Sequence, residues 1–157
     1  MEEISAENLA ELEKRYKTTV FIVSAQIFSA FVFIGAAWFA AKEKPFVEQS
    51  FLTLWLVILF ISAGTFVLRR RLFSWERLKN TAILKGIPGL LGLLEINTIF
   101  LTLFAELVLI IGFIIAILNG NFFDMLRASG IALIVLALNF PRRSIWEKIV
   151  SNLEKAI

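Results

Sequence analysis

The sequence predicts an all-α integral membrane protein whose four apolar segments cross the bilayer, and three observations carry that prediction. Hydrophobic residues make up 59% of the 157-residue chain, well above the ~45–50% of a soluble domain. The charged residues, 18% of the total, are gathered in clusters between apolar runs. Those runs are long enough to cross a ~30 Å hydrocarbon core as helices, which satisfy their own backbone hydrogen bonds. A mean hydropathy of +0.81 agrees.

Residues 1–17 are polar. Ser5 followed by Leu9, Leu12 and Tyr16 reads as a capped amphipathic helix on the cytosolic side. Span one covers 18–41 and is broken by Lys42-Glu43-Lys44-Pro45. Span two covers 51–68 and ends at Arg69-Arg70-Arg71. The connector 69–89 is basic, and Leu72, Trp75, Leu78 and Ala82 fit an interfacial helix. Gly86, Pro88 and Gly89 predict a hinge after it. Span three, 90–118, exceeds the thickness of the core and must tilt or project. Asn119-Gly120-Asn121 turns the chain into span four, 122–140, which Pro141-Arg142-Arg143 closes. Residues 141–157 form an amphipathic cytosolic tail.

Basic residues orient the spans. Lys14, Arg15 and Lys17 precede span one, Arg69–Arg71, Arg77, Lys79 and Lys85 separate spans two and three, and Arg142, Arg143, Lys148 and Lys155 follow span four. All fall on one side if both the N and C termini are cytoplasmic. The opposite connections are short, which predicts two antiparallel helical hairpins, 18–68 and 90–140. The setting expected from this reading is a prokaryotic cytoplasmic membrane, and a secretory signal peptide is not apparent. The four tryptophans read as anchors at the membrane surface.

The chain has no cysteine and no histidine. Disulfides, thiolate metal sites and catalytic triads that need either residue are excluded. No enzyme, cofactor or metal site is expected. The net charge of +3 arises beside the spans and does not argue for nucleic acid.

The hairpins echo one another. Phe33-Ile34-Gly35 parallels Ile110-Ile111-Gly112, and the run from Arg70 to Arg77 parallels that from Arg142 to Lys148. Either the chain is duplicated or arginine and tryptophan merely mark where helices leave a membrane.

Glu106 is the residue that points to function. It lies near the middle of span three, where an ionisable group costs a few kcal/mol and usually faces protein or water. At about 100° per residue, Thr98, Thr102 and Glu106 fall within about 60° of Glu95 on the helical wheel. Hydroxyls donate and accept, and burial favours the protonated form of a carboxyl, so such a stripe is suited to carry protons or cations. It is equally suited to interhelical hydrogen bonds, with Gln26, Ser62, Thr65, Asn139 or Arg127 as partners. Arg127 also has a near partner in Asp124.

The segment from Ala105 to Leu118, with Glu106 and Gly112 in a helix running outward from the cytosolic connector, resembles the ion-carrying helix of rotary ATPase proteolipid (c) subunits. The resemblance implies a hairpin fold in which Glu106 carries the ion, with Gln26 at the equivalent position of the first half. That family packs through a glycine-rich helix, whereas spans two and four here carry Gly64 and Gly130 among bulky side chains. Two functions follow as expectations. One is an accessory or scaffolding subunit of a larger membrane complex, whose partners are the lipid bilayer and other membrane subunits or further copies of itself. The other is a proteolipid-like proton-translocating subunit using Glu106.

Overall fold

The computed structural model describes residues 4–42 and 51–155. Within them lie five helices: α1 (Ala6–Lys42), α2 (Leu52–Leu72), α3 (Trp75–Asn119), α4 (Phe122–Asn139) and α5 (Arg143–Glu154). Four helical stretches, containing α1 to α4, are long and apolar enough to cross a membrane. The expected break at Glu43-Lys44-Pro45 lies outside the described residues.

α1 runs without interruption through the expected amphipathic segment and span one. At ~1.5 Å per residue its 37 residues reach about 55 Å. Its first turns therefore extend beyond a ~30 Å core. Ser5 begins it, the side-chain oxygen accepting from the backbone N–H of Asn8 at 3.4 Å. α2, with 21 residues, matches the core alone, and Arg69, Arg70 and Arg71 complement the negative end of its dipole.

α3 contains the hinge. Gly86 has φ 67° and ψ −176°, a backbone conformation that side chains resist, and it divides an interfacial piece from the membrane piece. A Cβ on Gly89 would fall 2.3 Å from the Cβ of Lys85, so the two pieces meet closely across the bend. α3 ends at Gly120, which is left-handed at φ 60°. Asn121 starts α4 by accepting from the N–H of Phe123 at 3.0 Å. This tight turn makes α3 and α4 a packed pair. A Cβ on Gly112 would lie 2.1 Å from the Cβ of Ala128, so the missing side chain sets their separation.

The first pair is different. No Cα atoms of α1 and α2 come within 8 Å of each other among the described residues; α3 packs against both. The expected direct packing of spans one and two is therefore not what these helices make. Apolar helices in lipid gain little from being sequence neighbours as such, so packing partners need not follow chain order.

Two cores result. One lies within the bundle around Val23, Ile58, Ala105, Leu109, Met125 and Leu136. The second lies at the end where α1 begins. Leu12, Leu78, Leu91, Trp146, Val150 and Leu153 form it, drawn from α1, both pieces of α3, and α5. Tyr16 meets Trp146 edge-on at 6.0 Å, Arg143 pairs with Glu13 at 3.1 Å, and Asn8 donates to Glu154 at 2.8 Å. Trp146 is thus 3% exposed and central to this cap. It is not the surface anchor expected from its place beside a span.

Candidate functional site

The polar residues singled out on span three lie along the middle of the bundle, and two of them face α1. Near the cap, Arg15 bridges two carboxylates: Nε reaches Glu11 at 2.6 Å and Nη1 reaches Glu95 at 2.9 Å. Gly92 makes room for it, since a Cβ there would sit 3.1 Å from Nη1. The hydrogen bond to Glu11 above all raises the pKa of Arg15; burial opposes this and Glu95 adds to it. Glu95 is accordingly one member of a charged cluster where α1 leaves the apolar stretch.

Further along α3, about 16 Å at ~1.5 Å per residue, Glu106 meets α1 again. Ser29 Oγ lies 2.7 Å from Glu106 Oε1 and 2.8 Å from the carbonyl oxygen of Gln26. Gln26 is buried, and its Oε1 has no hydrogen-bond donor among the described residues. Glu106 therefore touches Ser29, one turn from the Gln26 that sequence reasoning put forward. Ser29 is not among the partners that the sequence pattern suggests for Glu106.

The two threonines between the carboxylates are buried and bonded to their own helix. Thr98 donates to the carbonyl of Leu94 at 2.8 Å and Thr102 to that of Ile99 at 2.9 Å. These bonds direct the hydroxyl protons to the backbone. Among the described residues no hydrogen bond joins Thr98, Thr102 and Glu106 to one another. Ser62 and Thr65 on α2 do the same, donating to Ile58 and Ile61.

The remaining candidates lie elsewhere. Arg127 is 70% exposed and pairs with Asp124 at 3.4 Å, while Asn119 donates to the other Asp124 oxygen at 2.8 Å. They form a small polar lock at the α3–α4 turn. Asn139 ends α4, donates to Val135 at 2.8 Å, and lines a crevice with Thr98, Arg69 and Arg142. Asn97 donates to the carbonyl of Leu72 at 3.1 Å, satisfying one open acceptor at the end of α2.

No family model matches the chain, nor does any curated protein or solved structure. The functional reading rests on the residues alone.

Proposed function

We propose that this chain is a small, non-enzymatic scaffolding subunit of a larger complex in a prokaryotic cytoplasmic membrane. Both termini, and the cap that joins them, lie in the cytosol. The arginines and lysines at the cap end support that orientation, because cationic segments are retained on the cytoplasmic side.

The observation that carries the reading is Gly64. It sits mid-way along α2, is exposed, and has nothing within 4 Å of a Cβ placed on it. Glycine weakens a helix by about 0.5–1 kcal/mol relative to alanine, and no internal contact here explains it. Around it Val57, Phe60, Val67 and Phe104 border an open apolar groove of about 790 Å³. A small residue in such a groove lets another helix approach closely. The occupant proposed is a transmembrane helix of a partner subunit. The test is purification in mild detergent with the native complex retained. Gly64→Ile should release the chain as a folded, smaller species, while Phe31→Leu on the far helix should leave the complex intact. A chain that runs as a lone protomer before any substitution overturns the reading.

A second reading, a proteolipid-like ion carrier, is favoured by the contacts of Ser29. With the Glu106 carboxyl protonated, it donates to Ser29, and the Ser29 hydroxyl donates to the Gln26 carbonyl, so every proton has an acceptor. A carbodiimide, which modifies protonated carboxyls in membranes, should then label Glu106, and Glu106→Gln should abolish the labelling. Absence of label from the native chain counts against the carrier and leaves the scaffold standing.

A further inference from the structure

The crevice beside Asn139 has a chemistry that neither reading uses. It holds about 220 Å³ and is lined by Arg69, Phe73, Thr98, Asn139, Arg142 and Trp146, among others. Its position follows from the chain. Arg69 lies in the last turns of α2, Asn139 is the last residue of α4, and Arg142 immediately precedes α5. These are the points where the apolar spans read from the sequence end, which is where lipid headgroups are expected.

Three features of the crevice are unsatisfied. Arg69 and Arg142 line the same crevice, and neither makes an ion pair among the described residues. One nitrogen of Arg69 donates to the carbonyl of Leu138, which fixes that guanidinium in place. The start of α5 has no side-chain cap, so the positive end of its dipole is open beside Arg142. Asn139 is only 8% exposed, and its Oδ1 has no donor among the described residues. A buried acceptor left unpaired is costly.

We propose that this crevice binds the phosphate of an anionic glycerolipid whose headgroup carries a hydroxyl. The phosphate lies between Arg69 and Arg142, where planar guanidiniums can each donate twice. The hydroxyl supplies the proton that Asn139 Oδ1 lacks. A small dent of about 20 Å³ adjoins the crevice, sharing Arg69 and Asn139 and bordered by Ser62, Thr65, Phe66, Val135 and Leu138. Beside it Phe66 on α2 and Leu138 on α4 are exposed, an apolar surface against which an acyl chain can lie, and this favours a lipid over a soluble phosphate ester. Basic pockets between helices at the membrane surface hold anionic headgroups for these reasons.

The test uses the full chain in nanodiscs of phosphatidylcholine with increasing phosphatidylglycerol, binding being read by native mass spectrometry. Arg142→Gln should weaken phosphatidylglycerol binding about ten-fold, the effect of losing one charge-assisted contact. Arg142 is exposed, so the fold should survive the change. Arg77→Gln removes an equal charge from the same end and should change binding less than about two-fold, as a diffuse surface effect. Glycerol phosphate added to pure phosphatidylcholine discs distinguishes the sources. Absence of bound glycerol phosphate supports the lipid, and binding of it equal to that of phosphatidylglycerol replaces the lipid with a soluble ester. Equal losses for Arg142→Gln and Arg77→Gln, or no loss for either, overturn the site.

Discussion

Ser29 on α1 and Glu106 on α3 meet at 2.7 Å, and this contact places the chain's mid-span acid against a helix that is its neighbour in space but not in sequence order. The Glu106 carboxyl is half-buried in this seam.

Removing the serine tests what the contact is worth. Ser29→Ala should lower stability by about 0.5–1 kcal/mol, the usual scale for a hydrogen bond between helices in lipid. Glu106→Gln retains a polar partner and should cost less. Unfolding in mixed micelles measures both. A loss far above this scale for Glu106→Gln would point to a role for the charge itself.

Gly112 should tolerate no side chain. Gly112→Ala forces apart α3 and α4 at Ala128, costing about 1–3 kcal/mol as an overpacked contact. Ala128→Gly in the same chain should restore part of the loss. Independent, additive effects would show that the two positions do not touch.

The hinge makes a sharper contrast. Gly86→Ala should destabilise by about 1–2 kcal/mol, because alanine resists the left-handed backbone. Gly64→Ala, in open space on a regular helix, should be neutral or stabilising by up to about 1 kcal/mol in the isolated chain. Thermal unfolding of the two variants side by side gives the comparison.

The Arg15 cluster should be insensitive to alkali over the practical range. A guanidinium whose folded pKa is raised contributes its full share of stability below its ordinary pKa and loses it only above, in strong base. Arg15→Met should instead lower stability at every pH, by about 1 kcal/mol or less, since the pairs are part-exposed. Stability measured from neutral pH to mild alkali should therefore show no step that Arg15→Met abolishes.

Orientation has a direct assay, because the chain has no cysteine to interfere. A cysteine replacing Asn121 should react with an impermeant thiol reagent from outside intact cells. One replacing Lys79 should react only after the membrane is opened. The reverse pattern inverts the topology.

The apolar segments were legible because hydropathy in lipid is read one residue at a time, and the hinge because Gly86 and Pro88 act on their own backbone. The neighbours of each helix were not. A helix that is apolar on all sides, as α2 nearly is, carries no stripe to say which face meets protein. Periodicity puts Glu95, Thr98, Thr102 and Glu106 on one face, but the hydroxyl protons of the two threonines go to the backbone, a choice that spacing does not encode. Ser29 was readable only as a small residue. The cap was not legible for a different reason: Leu12 and Trp146 lie on two amphipathic segments far apart in sequence, and nothing in either pattern says that they share one core. The apparent duplication breaks at the same place, with Trp75 50% exposed and Trp146 buried.

That cap also has a consequence for biogenesis. Its interior waits for Trp146, Val150 and Leu153, which are translated after α1 to α4. Until α5 is made, Leu12 and Leu78 have no lid, and the nascent protein presents a greasy, open underside to chaperones and proteases. The final helix acts as a latch, so a stop codon just before it should yield an inserted chain that quality control removes.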